Sequence, residues 1–72
     1  MEAATTRLNP MAIRATRQRA GVSQEKLAQL VGVTTGSIRS METGSNEPRA
    51  STVARVAAVL GIDMNDLFGE VA

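Results

Sequence analysis

"GVSQEKLAQLVGVTTGSIRSMETG", residues 21–44, places two short apolar-periodic segments between three glycines. Ser23 precedes the first segment and Thr34 the second. Each suits a helix N-cap, because its hydroxyl can accept a hydrogen bond from an otherwise unpaired first-turn N–H. Gly32 and Gly44 follow the segments, where a helix ending in left-handed conformation favours glycine. The pattern predicts a helix over 24–31 that buries Leu27, Ala28, Leu30 and Val31, and a second over 35–43 that buries Ile38 and Met41. The linker Gly32-Val33-Thr34 is three residues long and contains a glycine, the arrangement of a helix-turn-helix. Val33 and Ile38 are expected to face the core and set the angle between the helices. Plain helical hairpins share this bare pattern, so it does not by itself assign a function.

The rest of the chain is punctuated in the same way. Asn9 and Pro10 predict the start of a first helix, since asparagine caps well and proline at the first helical position loses no hydrogen bond. That helix is expected to run to about Ala20, before Gly21. A fourth helix is expected between Pro48 and Gly61, with Arg49 or Ser51 as cap and a stripe of Val53, Val56, Ala57 and Leu60. A fifth, capped by Asp63 and closed by Gly69, carries Met64, Leu67 and Phe68. No segment alternates strictly enough to read as a strand. Residues 1–8 lack periodicity and are expected to form a flexible arm, with a folded domain over 9–69 and a tail over 70–72. Helices this short are marginal alone in water. They hold by packing on one another, so the fold class expected is all-α, a compact cluster of five helices.

Composition narrows the chemistry. The chain has 72 residues, enough for one domain, with no Cys, no His and a single aromatic residue, Phe68. A core must therefore be aliphatic and Met-built, from Ile13, Val22, Leu27, Leu30, Val31, Ile38, Met41, Val53, Val56, Leu60, Ile62 and Leu67. Disulfides and thiolate metal sites are excluded, and the commonest general base and metal ligand are missing. There is no glycine-rich phosphate loop, no paired carboxylate set and no metal-ligand spacing. Asp63 and Asp66 read as a cap and a solvated helix face. No enzymatic activity, metal or cofactor is expected. The longest apolar run, Val56 to Leu60, is far too short for a membrane span or a signal-peptide core, and a cytoplasmic location is expected. The net charge of +1 conceals a gradient: all eight basic residues lie in 1–55, whereas 56–72 contains only acids. Seven of the eight bases are Arg, which suits bidentate contact with phosphate or base edges.

The ordered set Gly-Val-Ser-Gln at 21–24, Leu-Ala at 27–28, Gly-Val at 32–33, Ser-Ile at 37–38, Met-Glu-x-Gly at 41–44, Pro48 and Leu-Gly-Ile at 60–62 closely resembles the phage-repressor-like (XRE, Cro/repressor-type) helix-turn-helix family. The resemblance covers roughly residues 9–68. It implies a five-helix, lambda-repressor-like domain that binds double-stranded DNA in a sequence-specific way and regulates transcription, with repression the expected sign. By this resemblance Gln24 contacts phosphate at the start of the second helix. Thr34, Thr35, Gly36, Ser37, Arg39, Ser40 and Thr43 belong to the DNA-facing region of the third helix. Ser45 and Asn46 contact phosphate from the following loop, and Arg49, after Pro48, stands where some relatives place a basic residue near the minor groove. Thr35, Gly36, Arg39 and Ser40 share one side through their i, i+4 spacing, opposite Ile38 and Met41. Their small size lets the helix lie close to the groove floor, with Arg39 as the candidate for bidentate guanine readout. Arg17 and Glu42 resemble the family's internal ion pair. Thr16 stands where relatives carry an apolar residue, and Gly36 where many carry a long polar reader.

A module of this size covers roughly 600–1,000 Å² of DNA, little for selecting one genomic site. The resemblance implies a homodimer on a palindromic operator, with half-sites about 34 Å apart. Met64, Leu67 and Phe68 are the expected dimer contact. Glu25 lies where some relatives touch RNA polymerase. The alternative reading is an antitoxin-like or other protein-interaction module in which DNA binding is secondary.

Overall fold

The computed structural model describes residues 5–71, with side chains described for 8–69. Asn9 opens the first helix, α1 (Pro10–Arg19), by accepting a hydrogen bond from the Met11 N–H at 3.1 Å, and Pro10 takes the first turn. Ser23 caps α2 (Gln24–Val31) through the Lys26 N–H, and Thr34 caps α3 (Thr35–Thr43) through the Ser37 N–H. The fourth helix, α4 (Ala50–Leu60), starts after Arg49, whose side chain makes no cap hydrogen bond. α1 and α2 both pack on α3, and α2 also packs on α4. Ile13, Leu27, Ala28, Val31, Ile38, Met41, Val53, Val56, Ala57 and Leu67 form the core where these faces meet.

The fifth expected helix is a single 3₁₀ turn, Met64–Leu67, capped by Asp63 through the Asn65 N–H at 2.8 Å. Phe68 then turns extended, with φ −107° and ψ 147°. The expected arm and tail are corrected too. β1 (Thr5–Leu8) and β2 (Phe68–Val71) form a two-stranded antiparallel ribbon with Leu8 opposite Phe68 and Thr5 opposite Val71. Residues 1–4 and 72, the remainder of those two segments, lie outside the described residues. The Asn9 N–H donates to the Leu67 carbonyl at 2.7 Å, joining the ribbon to the start of α1. The physical reason is competition for Leu67. Pulling that side chain to full burial after four helical residues leaves too little length for α-helix, and the exiting chain finds hydrogen-bond partners in the opposite terminus. Gly69, expected as a helix cap, is a strand residue opposite Arg7.

Two expectations about burial also change. Leu30 is 51% exposed rather than in the core. At about 100° per residue it sits roughly 100° from the centre of the stripe made by Leu27, Ala28 and Val31, so the helix cannot bury all four against one neighbour. Thr16 is buried at the place expected to be apolar.

Gly44, just after α3, lies close to Pro10 at the start of α1. Its φ is +76°, and a Cβ there would lie 3.1 Å from Pro10 Cγ. Gly44→Ala combines a left-handed penalty of about 1–2 kcal/mol with pressure on the proline ring. Thermal unfolding should show a Tm lowered by about 4–8 °C for each kcal/mol lost in a domain of this size. An unchanged Tm would mean that this approach contributes nothing to stability.

Candidate nucleic-acid interface

Gly32 makes the turn between α2 and α3 with φ 87° and ψ 33°, conformations that side-chain-bearing residues rarely adopt. The Gly32 and Val33 N–H groups both donate to the Ala28 carbonyl, at 2.8 and 3.0 Å, so the end of α2 is closed before Thr34 starts α3. Val33 is partly buried against the core, as expected. Ile38 is fully buried and Met41 nearly so, which fixes the roll of α3. On the other side Gly36, Arg39 and Thr43 are exposed, and Thr35 and Ser40 half-buried. Thus the structure brings five of the expected contact residues onto one outward face. Thr34 and Ser37 sit at its N-terminal end, where the Thr34 hydroxyl is committed to the Ser37 N–H at 3.1 Å.

Glycine at 36 answers no need of the fold. It lacks a positive φ, and a Cβ there would meet only the Thr34 hydroxyl oxygen, at 3.8 Å. What its missing side chain leaves free is space outside the chain. At the other end of α3, the Thr43 hydroxyl donates to the Ser40 carbonyl at 3.3 Å and lies 3.0 Å from the Ser45 hydroxyl. The Ser45 N–H also donates to the Ser40 carbonyl, so this exit from α3 is tied down. Asn46 and Arg49 are exposed in the loop that follows.

The ion pair expected between Arg17 and Glu42 is present and anchors the site from below. Arg17 Nε donates to Glu42 Oε2 at 2.6 Å and Nη2 to Oε1 at 3.2 Å, a two-pronged contact. The side chains are only 12% and 3% exposed. Arg17 Nη1 also donates to the Val22 carbonyl at 2.9 Å, so α1, the α1–α2 turn and α3 are pinned together. Gln24 joins this network: its Nε2 donates to Glu42 Oε1 at 3.1 Å. The amide expected to face phosphate therefore has one proton engaged internally. The backbone N–H at this first position of α2 belongs to a helix terminus and is suited to an anion.

An open groove lined by Arg17, Ser23, Gln24, Glu25, Thr35 and Arg39 runs where the starts of α2 and α3 meet. A second, lined by Arg14, Arg17, Gln24, Arg39, Glu42 and Thr43, adjoins it, and Arg39 borders both. Arg14 was not among the expected site residues; its sequence signal was its place one turn before Arg17 on the same helix. Leu67, expected at a dimer contact, is fully buried within its own chain and has no surface to offer a second subunit. Met64 and Phe68 are only partly buried against the core.

Residues 13–67 match the model of the HTH_3 family, described as helix-turn-helix. The chain belongs to this helix-turn-helix family. Over 54 residues, 75% of this chain, it is 33% identical to the HTH-type transcriptional regulator PuuR of Escherichia coli. It spans only 29% of that relative's length. The fold is similar to the restriction-modification controller protein C.AhdI of Aeromonas hydrophila, with TM-score 0.79 and 29% identity over 82% of this chain and 89% of that one. It is likewise similar to the P22 c2 repressor protein in complex with a synthetic operator, with TM-score 0.78 and 26% identity over 85% and 92% of the two chains. In this helix-turn-helix domain the α-helices are α1 to α4, and the fifth helical element is the 3₁₀ turn.

Proposed function

We propose that this helix-turn-helix domain binds double-stranded DNA in a sequence-selective way and serves a transcriptional regulator, with α3 lying in the major groove. One observation carries the reading: α3 is anchored by Ile38 and Met41 and turns outward Thr35, Gly36, Arg39, Ser40 and Thr43, where glycine meets no requirement of the fold. A face this small allows the helix axis to approach base edges closely. Arg39 supplies bidentate hydrogen bonding to guanine O6 and N7, and Thr35 offers a methyl to thymine and a hydroxyl to a neighbouring base. Gln24, Ser45, Asn46 and Arg49 hold the register through phosphates, which position the protein without reading sequence. The concentration of basic residues in 1–55 supplies attraction to the duplex. With so few reading groups, selectivity leans on DNA shape as well as on direct contacts. Repression rather than activation is the favoured outcome, in line with the repressor among its structural relatives.

The regulator works as a homodimer on a palindromic operator in this reading, with Met64 and Phe68 contributing to the contact. Selection of bound sequences from a random duplex pool at two salt concentrations tests both points. The expected product is a palindromic consensus with half-sites about one helical turn apart, retained at the higher salt. A consensus with a single half-site would remove the dimer but keep the reader helix. Binding that collapses uniformly with salt and yields no consensus would leave only phosphate attraction and sink the proposal.

A further inference from the structure

We propose that Arg14, on the outward side of α1, takes a backbone phosphate of the bound duplex beside the C-terminal half of α3; this rests on the reading that α3 enters the groove. Arg14 is exposed and borders two adjoining grooves, one shared with Arg39, Thr43 and Glu42 and one shared with Met11 and Gln18. Its neighbour one turn on, Arg17, is spent inward: three of its nitrogens donate to Glu42 and to the Val22 carbonyl. Glu42, the one carboxylate in the shared groove, is in turn occupied by Arg17 and Gln24. What the groove presents outward is therefore positive, from Arg14 on one wall and Arg39 on the other. Neither of them pairs with an acid within 4.0 Å among the described residues.

Two guanidinium groups without acidic partners leave this groove positive toward an approaching polyanion. Arg39, on α3, is directed at base edges when that helix is docked. The strand that borders the major groove then passes the wall on which Arg14 stands, with the Thr43 hydroxyl on the same rim. Arg14 is exposed on that wall, and its guanidinium can donate to a phosphate oxygen. The contact carries no base information, and it extends the footprint beyond the helix-turn-helix to α1.

Arg14→Gln tests this. Glutamine keeps helix propensity, and the position is exposed and away from caps and core, so the wild-type denaturation midpoint should be retained. Affinity for the wild type's selected operator should fall about 5- to 10-fold at 0.1 M salt, with the same factor on an unrelated duplex. The slope of log affinity against log salt should shrink by about one, with the base preferences unchanged. Arg14→Lys, which restores a point charge, should recover most of the slope. Arg19→Gln is the control, since Arg19 borders a different groove beside Asp66 and should leave the slope alone. An unchanged slope for Arg14→Gln would overturn the proposal, and so would an altered consensus, which would make Arg14 a base reader. Failure of the wild type to bind any duplex is a separate result, and it overturns the function proposed above.

Discussion

Replacing Glu42 with alanine is expected to cost about 3–5 kcal/mol of folding free energy, because it leaves a charged guanidinium buried without its partner. Arg17 would keep only the Val22 carbonyl, with Nε and Nη2 unpaired in a position 12% exposed, and the Gln24 amide would lose its acceptor. A domain of this size has only a few kcal/mol to lose. The variant should therefore be largely unfolded near 37 °C, and urea denaturation followed by circular dichroism should show little or no folded baseline. Glu42→Gln retains one acceptor oxygen and should fall between. The informative comparison is the double variant Arg17→Met with Glu42→Leu. Apolar replacement of a buried pair is often neutral, so much of the lost stability should return. If Glu42→Ala alone costs under about 1 kcal/mol, the contact behaves as a solvent-screened surface pair, and the proposed anchoring of α1 to α3 fails.

The helix-turn-helix was legible in the sequence because every device that defines it is local. Ser23 and Thr34 cap from one side, Gly32 and Gly44 close from the other, and the predicted bounds of α2 and α3 agree with those observed. Even the long-range pairing of Arg17 with Glu42 was readable, though through family resemblance rather than through spacing. The part played by Gln24 was not, because its acceptor lies on another helix, and no periodicity reports which polar side chains meet beneath a surface.

The ribbon was illegible for a different reason. Thr5–Leu8 and Phe68–Val71 are too short to show alternation, and each is extended because the other is present. Sequence patterns describe a residue's own neighbourhood, whereas this pairing joins the two ends of the chain. Leu30 and Leu67 make the matching point about burial. Both are leucines at helical spacing, yet Leu30 lies on the flank of a stripe already filled and is half-exposed, and Leu67 is withdrawn completely from solvent. Hydrophobicity alone gave them equal standing, so a dimer contact through Leu67 was a reasonable expectation that packing then removed.

The double variant Thr35→Ala, Arg39→Ala is expected to abolish preference for the selected operator while leaving the fold intact. Arg39 is exposed and Thr35 half-buried, neither caps a helix, and alanine favours helix, so unfolding should occur at the wild-type denaturant concentration or above. A bidentate arginine contact is worth about 1–3 kcal/mol of discrimination against the wrong base, or roughly 5- to 150-fold. Loss of the threonine methyl adds to this. Binding to unrelated duplex should fall far less, because Gln24, Ser45, Asn46 and Arg49 remain to hold phosphates, and the affinities for operator and non-operator DNA should converge. Competition titrations of the two duplexes at one fixed salt concentration measure that ratio directly. Should the double variant still prefer the operator by the wild-type factor, the readers lie elsewhere on the chain, and the outward face of α3 loses its assigned role.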